Sequence, residues 1–419
     1  MGASEQTRNY VSTSQSGNDT APNAVERWLV IQLLNLAGRP PLTVELWDGT
    51  RINRYQTDLT ARFHRRRVLY RMLRNPSIGF GDSYADGSLT IKGDLLTFLE
   101  DLYRSVRDAR RRGGVQRLLR HLHARRPRPN SLSAARDNIH SHYDLGNDFY
   151  RLWLDEGYMQ YTCAYYPDPS TTLEQAQIAK MNHVCRKLNL KPGERVAEAG
   201  SGWGGLARFM ARHHGVRVRS YNISAAQIAY ARHRARQDGL DGMIEYVEDD
   251  YRNLSGEYDA FVSVGMLEHV GVEHYAALGK VVDRCLKDSG RGLIHSIGRN
   301  QPRRMDDWIE SRVFPGAYPP TLGEMMPIFE PNDFSIMDVE NLGLHYARTL
   351  TDWLRRYERN IEPVREMFDP GFARAWRLYL AGSIAAFTTG GLQLFQVLFQ
   401  RPESNALPQT RNHLYADAQ

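Results

Sequence analysis

Arg195-Val-Ala-Glu-Ala-Gly-Ser-Gly-Trp-Gly-Gly-Leu206 joins a short strand-like run to a glycine turn and then to the start of an amphipathic stretch. Without a Cβ at Gly200, Gly202 and Gly204, the backbone can fold tightly and let a ligand lie against its amides. A helix opening near Trp203 adds unpaired N–H groups at the same place. The stretch therefore predicts a cofactor site between a strand and a helix. By itself the spacing suits a dinucleotide as well as S-adenosylmethionine.

Further motifs follow at matching intervals. Val216 to Ser224 reads as a second strand feeding a second helix from Ala225 to Ala231, with Ser224 as its N-cap. Ile244 to Tyr251 reads as a third strand with an acidic end, and Tyr258 to Val264 as a fourth, buried one. Strands alternating with helices over short connections predict an α/β fold whose parallel sheet is covered on both faces. Ligands in such sheets sit beyond the carboxyl ends of the strands, where all of these motifs lie.

The 419 residues exceed a usual single core, which predicts more than one domain. Cys163, Cys185 and Cys285 show neither metal-ligand spacing nor the even number of a disulfide framework, so a reducing compartment is expected and no metal. The amino terminus lacks the basic-then-apolar pattern of a secretory signal, and its polar residues through Asn23 suggest a disordered lead over 1–23. A cytoplasmic location follows. Leu378 to Gln400 carries no charge and is long enough to span a bilayer. Thr388, Thr389, Gly390, Gly391, Gln393 and Gln396 interrupt it, so a buried helix pair is expected, or in part the lining of an acyl channel.

The net charge of +6 is unevenly spread, because Arg104 to Arg128 holds ten arginines against Asp108 alone. Gly113-Gly114, Pro127 and Pro129 mark a basic linker over 104–130. It reads equally as a solvated connector and as a docking patch for anionic phospholipid headgroups, which attract surface Lys and Arg by roughly 1 kcal/mol each. No nucleic-acid reading module or interleaved aromatic platform accompanies it, so nucleic acid is not expected as a partner. Ahead of it, Leu42 to Thr50 alternates like a strand ending in an Asp-Gly turn. Residues 24–103 are thus expected to form a small α+β accessory domain, and 131–419 the domain that carries the glycine turn.

His142-Tyr-Asp-Leu-Gly-Asn-Asp-Phe-Tyr150, Met159-Gln-Tyr-Thr-Cys-Ala-Tyr165, the glycine turn, Ser263-Val-Gly-Met-Leu-Glu-His-Val-Gly271, His295-Ser-Ile-Gly298, Phe314-Pro315 and Asn341-Leu-Gly-Leu-His-Tyr346 run in order along the chain. From about His142 to Arg401 this set resembles the cyclopropane-fatty-acyl-phospholipid synthase family, relatives of the mycolic acid cyclopropane synthases. Ile78 to Gly87 and Asp94 to Leu102 resemble the amino-terminal accessory domain of the bacterial synthases, which points to phospholipid acyl chains. The resemblance implies a class I S-adenosylmethionine-dependent methyltransferase domain with a Rossmann-like sheet. It implies cofactor contacts from Tyr161, Thr162, Gly200, Ser201, Gly202, Asn222, Ile223 and Gln227, with Asp249 and Asp250 as the nearest acidic candidates for adenine or ribose. Glu198 stands where the family usually has Asp, and Ser201 where it usually has Cys.

The implied reaction is not an ordinary methylation, because an isolated cis alkene is a poor nucleophile and the sulfonium must supply the drive. Attack on the activated methyl leaves a carbocation, and loss of a proton from that new methyl closes a cyclopropane ring. The resemblance gives the base as a bound bicarbonate, cradled by Cys163, Glu268, His295, Tyr346 and the backbone of Ile297, with Glu268 orienting it and relaying protons. His269 is expected to be structural, and Trp308, Ile309, Val313, Phe314 and Pro315 to form a lid or wall over an acyl channel. The same cation losing a different proton would give a methyl- or methylene-branched chain. A non-catalytic lipid-binding protein is the alternative from another class. Unsaturated phospholipids, peripheral contact with the inner face of an anionic membrane, and a homodimer are the partners implied.

Overall fold

The computed structural model describes residues 20–53, 55, 57–112 and 145–415. The expected lead up to Asp19, the basic run beyond Arg112 and the His142-Tyr143-Asp144 part of the first family motif lie outside the described residues. The chain divides into two compact units, one of residues 1–126, 303–315 and 350–391, the other of 127–302, 316–349 and 392–419. The sequence suggests cuts near 103 and 130. The first unit instead takes in two later segments, because their apolar faces pack on its own helices.

In the first unit a four-stranded sheet runs in the order β2-β1-β3-β4, with β1 at Thr43–Glu45, β2 at Arg51–Ile52, β3 at Thr60–Phe63 and β4 at Leu89–Lys92. The Asp-Gly turn between β1 and β2 forms as read: the Asp48 carboxylate accepts from the Thr50 amide at 2.9 Å. Asn75 caps the Pro76–Ala85 helix, whose Gly81 lies so close to the Trp308 ring that a Cβ there would stand 2.3 Å from it. The helix Leu95–Arg112 runs on through the first part of the basic stretch. Its Arg104 is paired with Glu100 at 2.8 Å, and Arg107 donates to the Thr389 carbonyl at the end of the Pro370–Thr388 helix.

The second unit is built on a seven-stranded sheet in the order β10-β11-β9-β8-β5-β6-β7. Its strands are β5 (Arg195–Ala199), β6 (Arg217–Asn222), β7 (Ile244–Glu248), β8 (Tyr258–Val264), β9 (Leu286–Gly298), β10 (Ser335–Asn341) and β11 (Gln393–Gln400). β5 to β9 are parallel to their neighbours, whereas β11 lies antiparallel between β9 and β10. Side chains alternate between the two faces, so Val196 and Val262 enter one apolar cluster while Ala197 and Phe261 enter the other. This is the class I methyltransferase sheet that the sequence implies.

Leu378 to Gln400 is not a helix pair. It is the end of one helix followed by the strand β11, buried along nearly its whole length between two neighbours. Among the described residues no helix is long and apolar enough to cross a membrane.

Candidate functional site

A cavity opens beyond the carboxyl ends of β5, β6 and β8, where strand order reverses between β5 and β8. Crevices at such a switch point are the usual ligand sites of open α/β sheets. The segment after β5 contributes Gly200, Ser201, Gly202 and Trp203, with Glu198 beneath them. β6 and the helix after it contribute Asn222 and Gln227, and the loop after β8 contributes Gly265, Met266 and His269. Met159 to Thr162 close the remaining side.

The helix of the glycine turn starts at Gly205 rather than at Trp203, because Gly204 adopts φ +77°. A Cβ on Gly204 would lie 2.5 Å from Tyr246 Oη and 2.6 Å from Ala231 Cβ, so this glycine lets a strand and a helix close on the turn. Gly202 differs. Its φ is +49°, and a Cβ there would meet no heavy atom within 4 Å, so its backbone borders open space. Trp203 is locked by its indole N–H on Asn147 at 2.7 Å and by the Tyr150 ring 4.8 Å away.

Asn222 Nδ2 donates to Gln227 Oε1 at 2.8 Å, which leaves the buried Gln227 Nε2 with no partner. A buried amide donor on a cavity wall suits a ligand hydroxyl or ring nitrogen. Tyr161, Thr162, Gly200, Ser201, Gly202, Asn222 and Gln227 are thus brought to one cavity. Ile223 is half-buried beside it and is not part of the wall. Asp249 and Asp250 are also off the wall. Asp249 accepts from the Asn253 side chain at 2.9 Å and Asp250 from the Arg252 amide at 2.9 Å, so both carboxylates serve the turn after β7.

Glu198 is buried, and its carboxylate accepts a 2.5 Å hydrogen bond from Ser220, its register partner on β6. Burial pushes its pKa up to about 7 against the pull of Ser220 and of the Lys180 charge. The extra methylene relative to Asp is accommodated by this cross-strand bond.

Of the five residues assigned to an anion cradle, Cys163, Glu268, His295 and Tyr346 are buried and Ile297 half-buried, and they lie around β9. Glu268 Oε1 accepts from the Ile297 amide at 2.6 Å, while its Oε2 has no partner. Burial raises the Glu268 pKa to about 7, with the Ile297 amide opposing. His295 Nδ1 pairs with Gln396 Nε2 at 3.0 Å across the β9–β11 register, and its Nε2 has no partner. Burial holds this imidazole far below its usual pKa, hence neutral. An amide NH2 only donates, so Nδ1 accepts and Nε2 carries the proton. The Cys163 thiol sits 3.8 Å from the Leu342 carbonyl, which also accepts from the Tyr346 amide. The Leu342 amide in turn donates to Leu394, the partner of Ile297. A half-protonated carboxyl and an unpartnered imidazole N–H are donors that fit a small anion such as bicarbonate. The Ile297 amide fits it only if Glu268 releases that bond.

His269 is expected from the sequence to be structural, yet it borders the cavity, and burial pulls its pKa down to about 4. Glu268 and His269 share the short 3-10 turn Leu267–His269, on which adjacent side chains point about 120° apart. One therefore meets β9 and the other the cavity. Gln396, hidden in an uncharged run, was not anticipated either. Of the expected lid, Trp308 packs on Gly81 with its indole N–H on Asp82 at 3.2 Å, and the Phe314 ring meets Tyr379 at 5.4 Å. These aromatic faces belong to the packing of the first unit.

A profile of mycolic acid cyclopropane synthetases matches residues 130–397, and one of a domain of unknown function matches residues 29–112. The chain is 37% identical to a cyclopropane-fatty-acyl-phospholipid synthase of Escherichia coli, over 80% of this chain and 86% of that protein. It is 33% identical to a probable fatty acid methyltransferase of Pseudomonas putida, over 90% of this chain and 96% of that one. A mycolic acid cyclopropane synthase crystallised with SAH and CTAB superposes with a TM-score of 0.60 at 27% identity, covering 63% of this chain and 98% of that structure.

Proposed function

This chain belongs to the mycolic acid cyclopropane synthetase family, and from that premise we propose that it adds a methylene across the cis double bond of unsaturated acyl chains in membrane phospholipids. It is an S-adenosylmethionine-dependent methyltransferase of lipid acyl chains. One loop carries the finer reading. Met266 and His269 border the cofactor cavity while Glu268, between them, is buried against Ile297 of β9 with an oxygen unpartnered. On this reading the methyl-donor site and the proton-accepting site share one short loop, Met266 to His269, with Glu268 next in sequence to the cavity-bordering His269.

S-adenosylmethionine would supply the electrophilic methyl and bicarbonate the base. Gly200, Ser201, Gly202, Asn222 and Gln227 would hold the former, with Tyr161 and Thr162 opposite. Cys163, Glu268, His295, Tyr346 and the Ile297 amide would hold the latter. Glu268, with its pKa near 7, exchanges a proton at Oε2 at little cost. His295 keeps a fixed Nε2–H as a donor, since Gln396 occupies Nδ1. Burial of both keeps water from competing for these atoms.

The substrate would be met at a bilayer surface, on the inner face of the membrane. A methyl- or methylene-branched product is the second reading, favoured by the similarity to the probable fatty acid methyltransferase of Pseudomonas putida. The deciding measurement is proton NMR of lipid extracted after incubating the protein with S-adenosylmethionine and monounsaturated phospholipid vesicles. Upfield ring protons are expected. Branched-chain signals without them would overturn the cyclopropane assignment, and a rate indifferent to rigorous removal of bicarbonate would overturn the base.

A further inference from the structure

The helix Leu173–Lys187 runs behind the wall formed by Met159 to Thr162. Its Gln177 side chain donates to the backbone carbonyl of Thr162 at 2.9 Å. One turn later Lys180, fully buried, donates to Gln160 Oε1 and, at 2.8 Å, to Thr162 Oγ1. An ammonium has three donors and no acceptor, so Thr162 Oγ1 must receive a proton from Lys180. Its own hydroxyl proton is then committed to some other partner, and Thr162 borders the cavity.

The charge balance points the same way. A buried ammonium is expensive unless it is paired. Among the described residues no carboxylate lies within 4 Å of Lys180. Asp155 and Glu198 act on it only from farther off: the Asp155 oxygens accept from the Tyr158 and Gln160 amides, and one Glu198 oxygen accepts from Ser220. An anion on the cavity side of Thr162 would complete this arrangement. S-adenosylmethionine carries one, its carboxylate.

We propose that Lys180 is a positioning residue for the cofactor: it makes Thr162 a hydrogen-bond donor to the carboxylate of S-adenosylmethionine and supplies the buried positive charge that offsets it. The inference rests on reading this cavity as the cofactor site. Burial pulls the Lys180 pKa down to about 8, while Asp155, Cys163, Glu198 and Cys185 favour the charged form. The same charge helps to keep His295 neutral. The positive charge is thus present near neutral pH and lost as pH rises past about 8, and carboxylate binding should be lost with it.

The test is calorimetry on the full chain with S-adenosylhomocysteine and decarboxylated S-adenosylmethionine as probes. A hydrogen bond to a charged group supports an expected drop of about tenfold or more in S-adenosylhomocysteine affinity for Lys180→Met at neutral pH. Thr162→Val should lose a similar factor, the double variant little more. The parent's affinity should fall between about pH 7 and about pH 9 more steeply than that of Lys180→Met, and neither substitution should affect the decarboxylated probe. Should Lys180→Met fail to fold, Thr162→Val and the parent's preference for the carboxylated probe carry the test. Parental affinity in both variants, or equal losses for both probes, overturns the role of Lys180. A parent that binds neither probe overturns instead the reading of the cavity.

Discussion

Glu268 holds the Ile297 amide with one oxygen and has no partner on the other, and burial pushes its pKa up to about 7. Because the folded pKa stands above the ordinary value of 4.5, its contribution to stability is fully present below about pH 4.5 and is lost as pH rises through about 7. The loss is about 3 kcal/mol. Glu268→Gln should therefore lose less stability than the parent between acid and mildly alkaline pH in urea titrations, while turnover falls by about a hundredfold or more and S-adenosylhomocysteine still binds. Parental turnover would remove Glu268 from the chemistry. Gln396→Leu tests the partner of His295: it should cut turnover by about tenfold without touching cofactor affinity, since it frees the imidazole tautomer. Unchanged turnover would show that the tautomer does not matter. The identities of the candidate cradle residues were legible from motif resemblance. The Gln396 pairing was not, because it depends on a register between strands about a hundred residues apart in sequence.

At the scale of the element, the glycine turn separates packing from binding within two residues. Gly204→Ala puts a Cβ 2.5 Å from Tyr246 Oη at φ +77°, and should destabilise the fold by about 2 kcal/mol or more, read in thermal melts. Gly202→Val adds its side chain to open space, so S-adenosylhomocysteine affinity should collapse at the cost only of the residue's own left-handed backbone strain. A Gly202→Val protein that binds as the parent does would mean that the ligand lies elsewhere. The turn and β8 were legible because a strand followed by glycines has few alternatives. β11 was not. Gln393, Gln396 and Gln400 recur at helical spacing, and a strand buried on both faces shows no alternation to contradict it.

At the scale of the whole molecule, the first unit is completed by 303–315 and 350–391, segments that a reading by sequence order assigns to the catalytic part. The Pro370–Thr388 helix buries Trp376, Leu380 and Ile384, and its last residue Thr388 and the following Thr389 bond to Glu100 and Arg107 of the amino-terminal segment. A fragment of residues 131–419 should therefore expose this helix, bind hydrophobic dye and elute as large aggregates on size-exclusion chromatography. A monodisperse fragment with a cooperative melt would refute this. Hydrophobic pattern gave the helices but not their allegiance, since an apolar face does not say which surface will cover it. The chain passes between the units at 126–127, 302–303, 315–316, 349–350 and 391–392, five times in all. No single crossover between genes can therefore exchange the accessory unit of this protein for that of a relative. A working chimera has to inherit three separate stretches of coding sequence together, so the unit is transmitted as a mosaic rather than as a cassette.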